Sequence, residues 1–113
     1  MKEKHINQAL TIQGDLIENN YNVNDFIVVE GDTLIKNAFI LDDKTLPRNK
    51  REGVLYFKGN VSAKYFIINT HTRLSIIIDG DFTVNTVLLL TNIALTVKGK
   101  LKAKNLIQYP EKP

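Results

Sequence analysis

The 113-residue chain has no cysteine, no tryptophan and only three prolines. Without cysteine there are no disulfides, no thiolate metal ligands and no cysteine nucleophile. Long hydrophobic runs are missing too: none exceeds four residues, as in Val87 to Leu90, far below the roughly 18 to 20 residues that span a bilayer as a helix. The opening MKEKHINQAL has no apolar signal-peptide region, so the expected location is cytoplasmic. Charge of one sign is also scarce. Fifteen lysines and arginines face twelve acids, a net +3, too weak for the concentrated basic face of a dedicated nucleic-acid binder. The two histidines, His5 and His71, have no partner at metal-ligand spacing, and no H-x-x-x-H, G-x-S-x-G or P-loop pattern occurs. No cofactor or metal is expected.

What the chain has is a repeat. Five of its six glycines fall at one position of a recurring pattern: Gly14, Gly31, Gly59, Gly80 and Gly99. Four residues before each glycine stand Leu10, Ile27, Leu55, Ile76 and Leu95; two before stand Ile12, Val29, Phe57, Ile78 and Val97; two after stand Leu16, Thr33, Val61, Phe82 and Leu101. Alternation with a period of two is the signature of a half-buried strand. Recurrence at about twenty residues marks stacked supersecondary units. The expected fold is all-β: a parallel β-helix, or β-solenoid, of about five coils forming a single domain over 1–113.

Glycine at the bend supplies either a positive φ or close backbone approach, and Asp15, Asp32, Asn60 and Asp81 just after it suit a turn. Beyond the bend, positions +7 (Tyr21, Ala38, Phe66, Val87, Leu106) and +8 (Asn22, Phe39, Ile67, Leu88, Ile107) begin another apolar strand. Residues 1–8 are expected to form an N-terminal cap. Residues 41–53 (LDDKTLPRNKREG) lack periodicity and are expected to form an extruded loop. The tail 109–113 (YPEKP), with its prolines, predicts a closed C-terminal end. Variable coil length favours a right-handed helix over the left-handed hexapeptide form.

Two surfaces stand out. Tyr56, Tyr65, Ile77 and Leu89 are expected to point outward and to offer an apolar, tyrosine-bearing wall for a protein partner. Lys98, Lys100, Lys102 and Lys104 alternate along the last repeat, as a fence against edge pairing or an anion-binding stripe. A catalytic reading would rest on the acids Asp15, Asp32, Asp79 and Asp81 in or beside the glycine columns. Turn chemistry explains the same acids, so no enzyme is expected.

The stretches FKGNVSAKYFII, IDGDFTVNTVLLL and VKGKLKAKNLI resemble the glycine-punctuated strands of the bactofilins, polymer-forming bacterial β-helix proteins. The resemblance covers about residues 9–108. It implies a right-handed β-helix that assembles end to end without nucleotide, from which this chain departs in its irregular spacing and interrupting loop. The repeats also resemble small bacterial proteins found with secreted polymorphic toxins, some of them immunity factors. The resulting expectation is a non-enzymatic solenoid that binds a protein partner or itself, with a bactofilin-like scaffold polymer and a carbohydrate-active or metal-dependent enzyme as alternatives.

Overall fold

A computed structural model describes residues 3–6, 10–12, 26–42, 52–69, 73–90 and 93–109. Among these there is no helix, and every strand pairing is parallel. The strands are β1 (Glu3–Ile6), β2 (Leu10–Ile12), β3 (Phe26–Val29), β4 (Thr33–Ile35), β5 (Ala38–Asp42), β6 (Glu52–Phe57), β7 (Val61–Asn69), β8 (Arg73–Ile78), β9 (Phe82–Leu90), β10 (Ile93–Val97) and β11 (Leu101–Tyr109). They form a first sheet ordered β1-β3-β6-β8-β10 and a second ordered β11-β9-β7-β4-β2, with β5 also on β7. The chain thus crosses back and forth between the two sheets, with the consecutive strands β4 and β5 both on the second.

The alternation seen in sequence is the alternation of burial. Ile27 and Val29, Leu55 and Phe57, Ile76 and Ile78 are all buried, and Leu95 and Val97 pack against the same core. They are in register: Ile27 opposes Leu55, Leu55 opposes Ile76, and Ile76 opposes Leu95. On the second sheet Val61, Phe66, Ile68, Phe82, Val84 and Val87 complete the interior. Each such side chain contributes roughly 1.5 to 3 kcal/mol when fully buried. Phe66 lies at the centre, stacked on Phe39 at 4.9 Å and edge-on to Phe82 at 5.2 Å.

Glycine is needed at the bends for closeness. A Cβ on Gly59 would stand 2.5 Å from Asp32 Oδ1 and 2.8 Å from the carbonyl carbon and oxygen of Gly31. The stacked bends are tied by the next residue. The Asn60 amide donates to Asp32 Oδ1, the Asp81 amide to Asn60 Oδ1 and the Lys100 amide to Asp81 Oδ1, each at 2.8 Å. Each side-chain oxygen satisfies a backbone donor one pass further on.

Glu3–Ile6, within the expected cap at 1–8, is a strand at the edge of the first sheet in register with Phe26–Val29. Two expectations are corrected. The expected first repeat is out of phase, because Leu10 opposes Thr33 where Leu16 was expected. Finally, the loop is shorter than 41–53, since β5 runs through Leu41 and Asp42 and β6 begins at Glu52. The remainder of that loop, the tail beyond Tyr109, Gly14, Asp15, Tyr21 and His71 lie outside the described residues.

Candidate functional site

β7, β9 and β11 each run nine residues, and the register skips one residue in each: Ala63 pairs Val84 and Tyr65 pairs Thr86, with Lys64 and Asn85 between; Lys104 holds that place in β11. That residue is a corner. Inward positions before it are Val61 and Ala63; after it the parity changes, and Phe66 and Ile68 point in. In the preceding pass the corner holds two residues, Lys36 and Asn37. The Asn37 carbonyl accepts from both the Lys64 and Tyr65 amides, at 3.2 and 3.0 Å. Phe39 therefore sits opposite Phe66, not one step beyond it as the glycine alignment has it.

The changed parity decides which side chains face out. Leu89, expected on the outer wall, is only 3% exposed and belongs to the core, because β9 points Val87 and Leu89 inward. Its neighbour Leu88 takes the outward place. In register with it stand Ile67 in β7, Ile40 in β5 and Ile107 in β11, an unbroken aliphatic row across four strands. Three strand spacings make the row about 14 Å long. Ile40 is 41% exposed and Ile107 47%, with Ile67 and Leu88 half-buried between them. Beside the row runs a second one, Ala38, Tyr65, Thr86 and Asn105. Tyr65 is half-buried and carries Lys64 Nζ over its ring at 5.8 Å.

Tyr56 and Ile77 do not belong to this wall. They oppose each other on the first sheet, both half-buried. The Tyr56 hydroxyl donates to Asp79 Oδ2 at 2.8 Å, and Lys98 Nζ lies 3.2 Å from Asp79 Oδ1 and 5.7 Å from the Tyr56 ring centre. Next to this cluster Lys58 pairs with Glu30 at 3.2 Å. The residues just before the glycines thus alternate in sign across four passes: Glu30, Lys58, Asp79, Lys98. The hydrogen bond from Tyr56 holds the Asp79 carboxyl below its usual range, opposed by partial burial and aided by Lys98 and Lys58. Asp79 holds Lys98 above its ordinary value in turn.

The sign of the pH effect follows. A carboxylate whose folded pKa is depressed contributes stability that is fully present above its unfolded value, here 3.8, and lost as pH falls through the lower folded value. Thermal melts taken from about pH 5 downward should therefore show wild type losing stability on the acid side. Asp79→Asn should be less stable at the upper end and show a flatter decline.

The lysine fence also separates. Lys98 is engaged by Asp79, and the Lys100 amide by Asp81. Lys102 and Lys104 are exposed, and Lys104 sits at the corner with Lys64. Among the described residues, the acids proposed for catalysis (Asp32, Asp79 and Asp81) do not converge. Asp32 and Asp81 are separated by Asn60 in the hydrogen-bonded ladder, and Asp79 lies in the charge column of the first sheet. Among the described residues no three acids or histidines cluster in a way that would hold a metal.

Nor is the last pass closed by its lysines. Leu101 and Leu106 continue the inward columns of Phe82 and Val87, yet they are 40% and 55% exposed. With Leu89, Leu95, Val97 and Gln108 they line a cleft of about 450 Å³.

Compared with family models, with curated proteins and with solved structures, the chain finds no match. Function has to be argued from the surfaces.

The aliphatic row was visible in sequence only as column +8, with Phe39 standing where Ile40 belongs. Nothing in the run Val87 to Leu90 distinguishes one face from the other by polarity.

Proposed function

We propose that this chain is a non-enzymatic, right-handed, single-stranded β-solenoid of about five coils that binds a protein partner through a flat outer wall. The observation that carries this reading is the row Ile40–Ile67–Leu88–Ile107, flanked by Tyr65. Four aliphatic side chains in register on a rigid sheet keep apolar surface in water, and contiguous apolar patches of this kind mark protein contacts. A protein partner supplies what the sheet lacks, a second apolar layer about 10 Å away, as two sheets pack face to face. The partner is a second copy of the chain or a client such as a toxin. A cytoplasmic location is part of this proposal; among the described residues no helix is long and apolar enough to cross a membrane.

A second reading, end-to-end assembly of the bactofilin kind, is favoured by one observation: the exposed leucines Leu101 and Leu106 of the last described pass, which line a cleft there. Light scattering on a sizing column over a wide concentration range separates the two for self-association. If the wall is the contact, wild type forms a closed species of fixed mass, Ile67→Lys returns it to a monomer, and Leu106→Lys leaves it unchanged. Growth of mass with concentration, abolished by Leu106→Lys and not by Ile67→Lys, would transfer the function to the end. A monomer at every concentration would exclude the second copy and leave the client.

A further inference from the structure

The corner of the second sheet carries a charge pattern opposite in kind to that of the first. Just before the glycines, acids and bases alternate from pass to pass and pair at 3.2 Å. At the corner the side chains are Lys36, Lys64, Asn85 and Lys104, and the sign repeats. Lys64, Asn85 and Lys104 occupy one column, between the rungs Ala63–Val84–Ala103 and Tyr65–Thr86–Asn105. Lys36 takes the corner of the pass below, beside Asn37, whose carbonyl binds the Lys64 amide. All three lysines are exposed, and no described acid pairs with any of them. Successive passes are one strand spacing, about 4.8 Å, apart. Lys36 and Lys64 stand one spacing apart and Lys64 and Lys104 two, with Asn85 between; like charges so placed repel, and the repulsion is relieved by an anion from outside.

We infer that this corner binds a linear acidic polysaccharide lying along the stack, with carboxylates against Lys36, Lys64 and Lys104. The surroundings of the lysines select the ligand. A shallow groove of about 490 Å³ runs along the corner; Asn85 lies between the charged positions, Ser62 and Thr83 stand in the row beside them, and Leu34, Ile35, Ala63 and Val84 complete the lining. Hydroxyl and amide groups both donate and accept. Sugar hydroxyls use both capacities, whereas a phosphodiester backbone only accepts. Single-stranded nucleic acid would also call for a series of stacking aromatics. The corner adjoins one, Tyr65, whose ring is occupied by Lys64. This inference is independent of the protein-binding wall, which lies on the strands beyond the corner.

Calorimetric titration at low salt with polygalacturonate as the probe tests it. Binding is expected, weakening as salt is added, with no heat from a neutral glucan. Lys64→Gln should weaken it by about fivefold, the upper range for one exposed charge contact. The triple change Lys36→Gln, Lys64→Gln, Lys104→Gln should abolish it while the circular-dichroism melt stays in place. Arg73→Gln removes the same charge from an exposed position on the first sheet and should leave affinity unchanged. The inference is overturned if polygalacturonate gives no heat, or if Arg73→Gln weakens binding as much as Lys64→Gln. Tighter binding of single-stranded DNA or of anionic lipid vesicles would overturn it as well.

Discussion

Phe66→Ala should cost about 3 to 5 kcal/mol, the range for removing a buried aromatic ring. Urea denaturation would show the midpoint falling at an unchanged slope. The size follows from position. Phe66 is wholly buried, stacks on Phe39 in the pass below and meets the edge of Phe82 beside it. Neighbouring passes are held apart by their own backbone hydrogen bonds, so they cannot close over the void. In a stack where each pass touches only its neighbours, stability is close to a sum of interface terms, and this ring serves two of its interfaces. Ile67→Ala, one residue along, should cost about 1 kcal/mol or less, as expected of a surface position. Equal losses at the two positions would mean that the strand does not present Phe66 inward and Ile67 outward.

The second large effect is expected at Gly80. A Cβ there would meet the Gly59 carbonyl oxygen at 2.7 Å and its carbon at 2.8 Å, with Asn60 Oδ1 closer still. Two of these atoms are backbone, so no rotamer change relieves the contact. The passes would have to separate at the bend, straining the amide bonds from Gly80 to Gly59 and from Asp81 to Asn60. Overpacking a well-fitted interior costs about 1 to 3 kcal/mol, and Gly80→Ala belongs at the top of that range because the obstruction is main chain. The melting temperature reports it directly. A Gly80→Ala protein as stable as wild type would show that the bends are not in contact.

The inner face of this fold was legible because strand burial has a period of two and glycine marks each bend. Ile27, Leu55 and Ile76 were placed correctly on that basis. Where the reading failed, the chain offered no contrast. Inward columns recur every six residues, at −4, +2 and again near +8, so a slip of six preserves the pattern; Leu10 takes the place assigned to Leu16 by such a slip. At the corner, an extra residue in the pass through Asn37 shifts everything after it by one, and only Phe39 meeting Phe66 reveals the shift. Leu88 and Leu89 are both aliphatic, so hydropathy could not tell wall from core. The lysine corner escaped notice for a related reason: its members lie in different passes, and only the fold brings them together.

The ladder of side-chain oxygens also bears on how long such a molecule can be. Asp32, Asn60 and Asp81 each present an oxygen to the amide of the following pass; Lys100, the last in the series, has none to present. A segment duplicated upstream of Lys100 would find a ready acceptor for its first amide and could be absorbed into the rod. One appended after Lys100 would find none. Such a pass would lack this one bond at its bend, a loss of about 1 kcal/mol, while the edges of β10 and β11 could still pair with it.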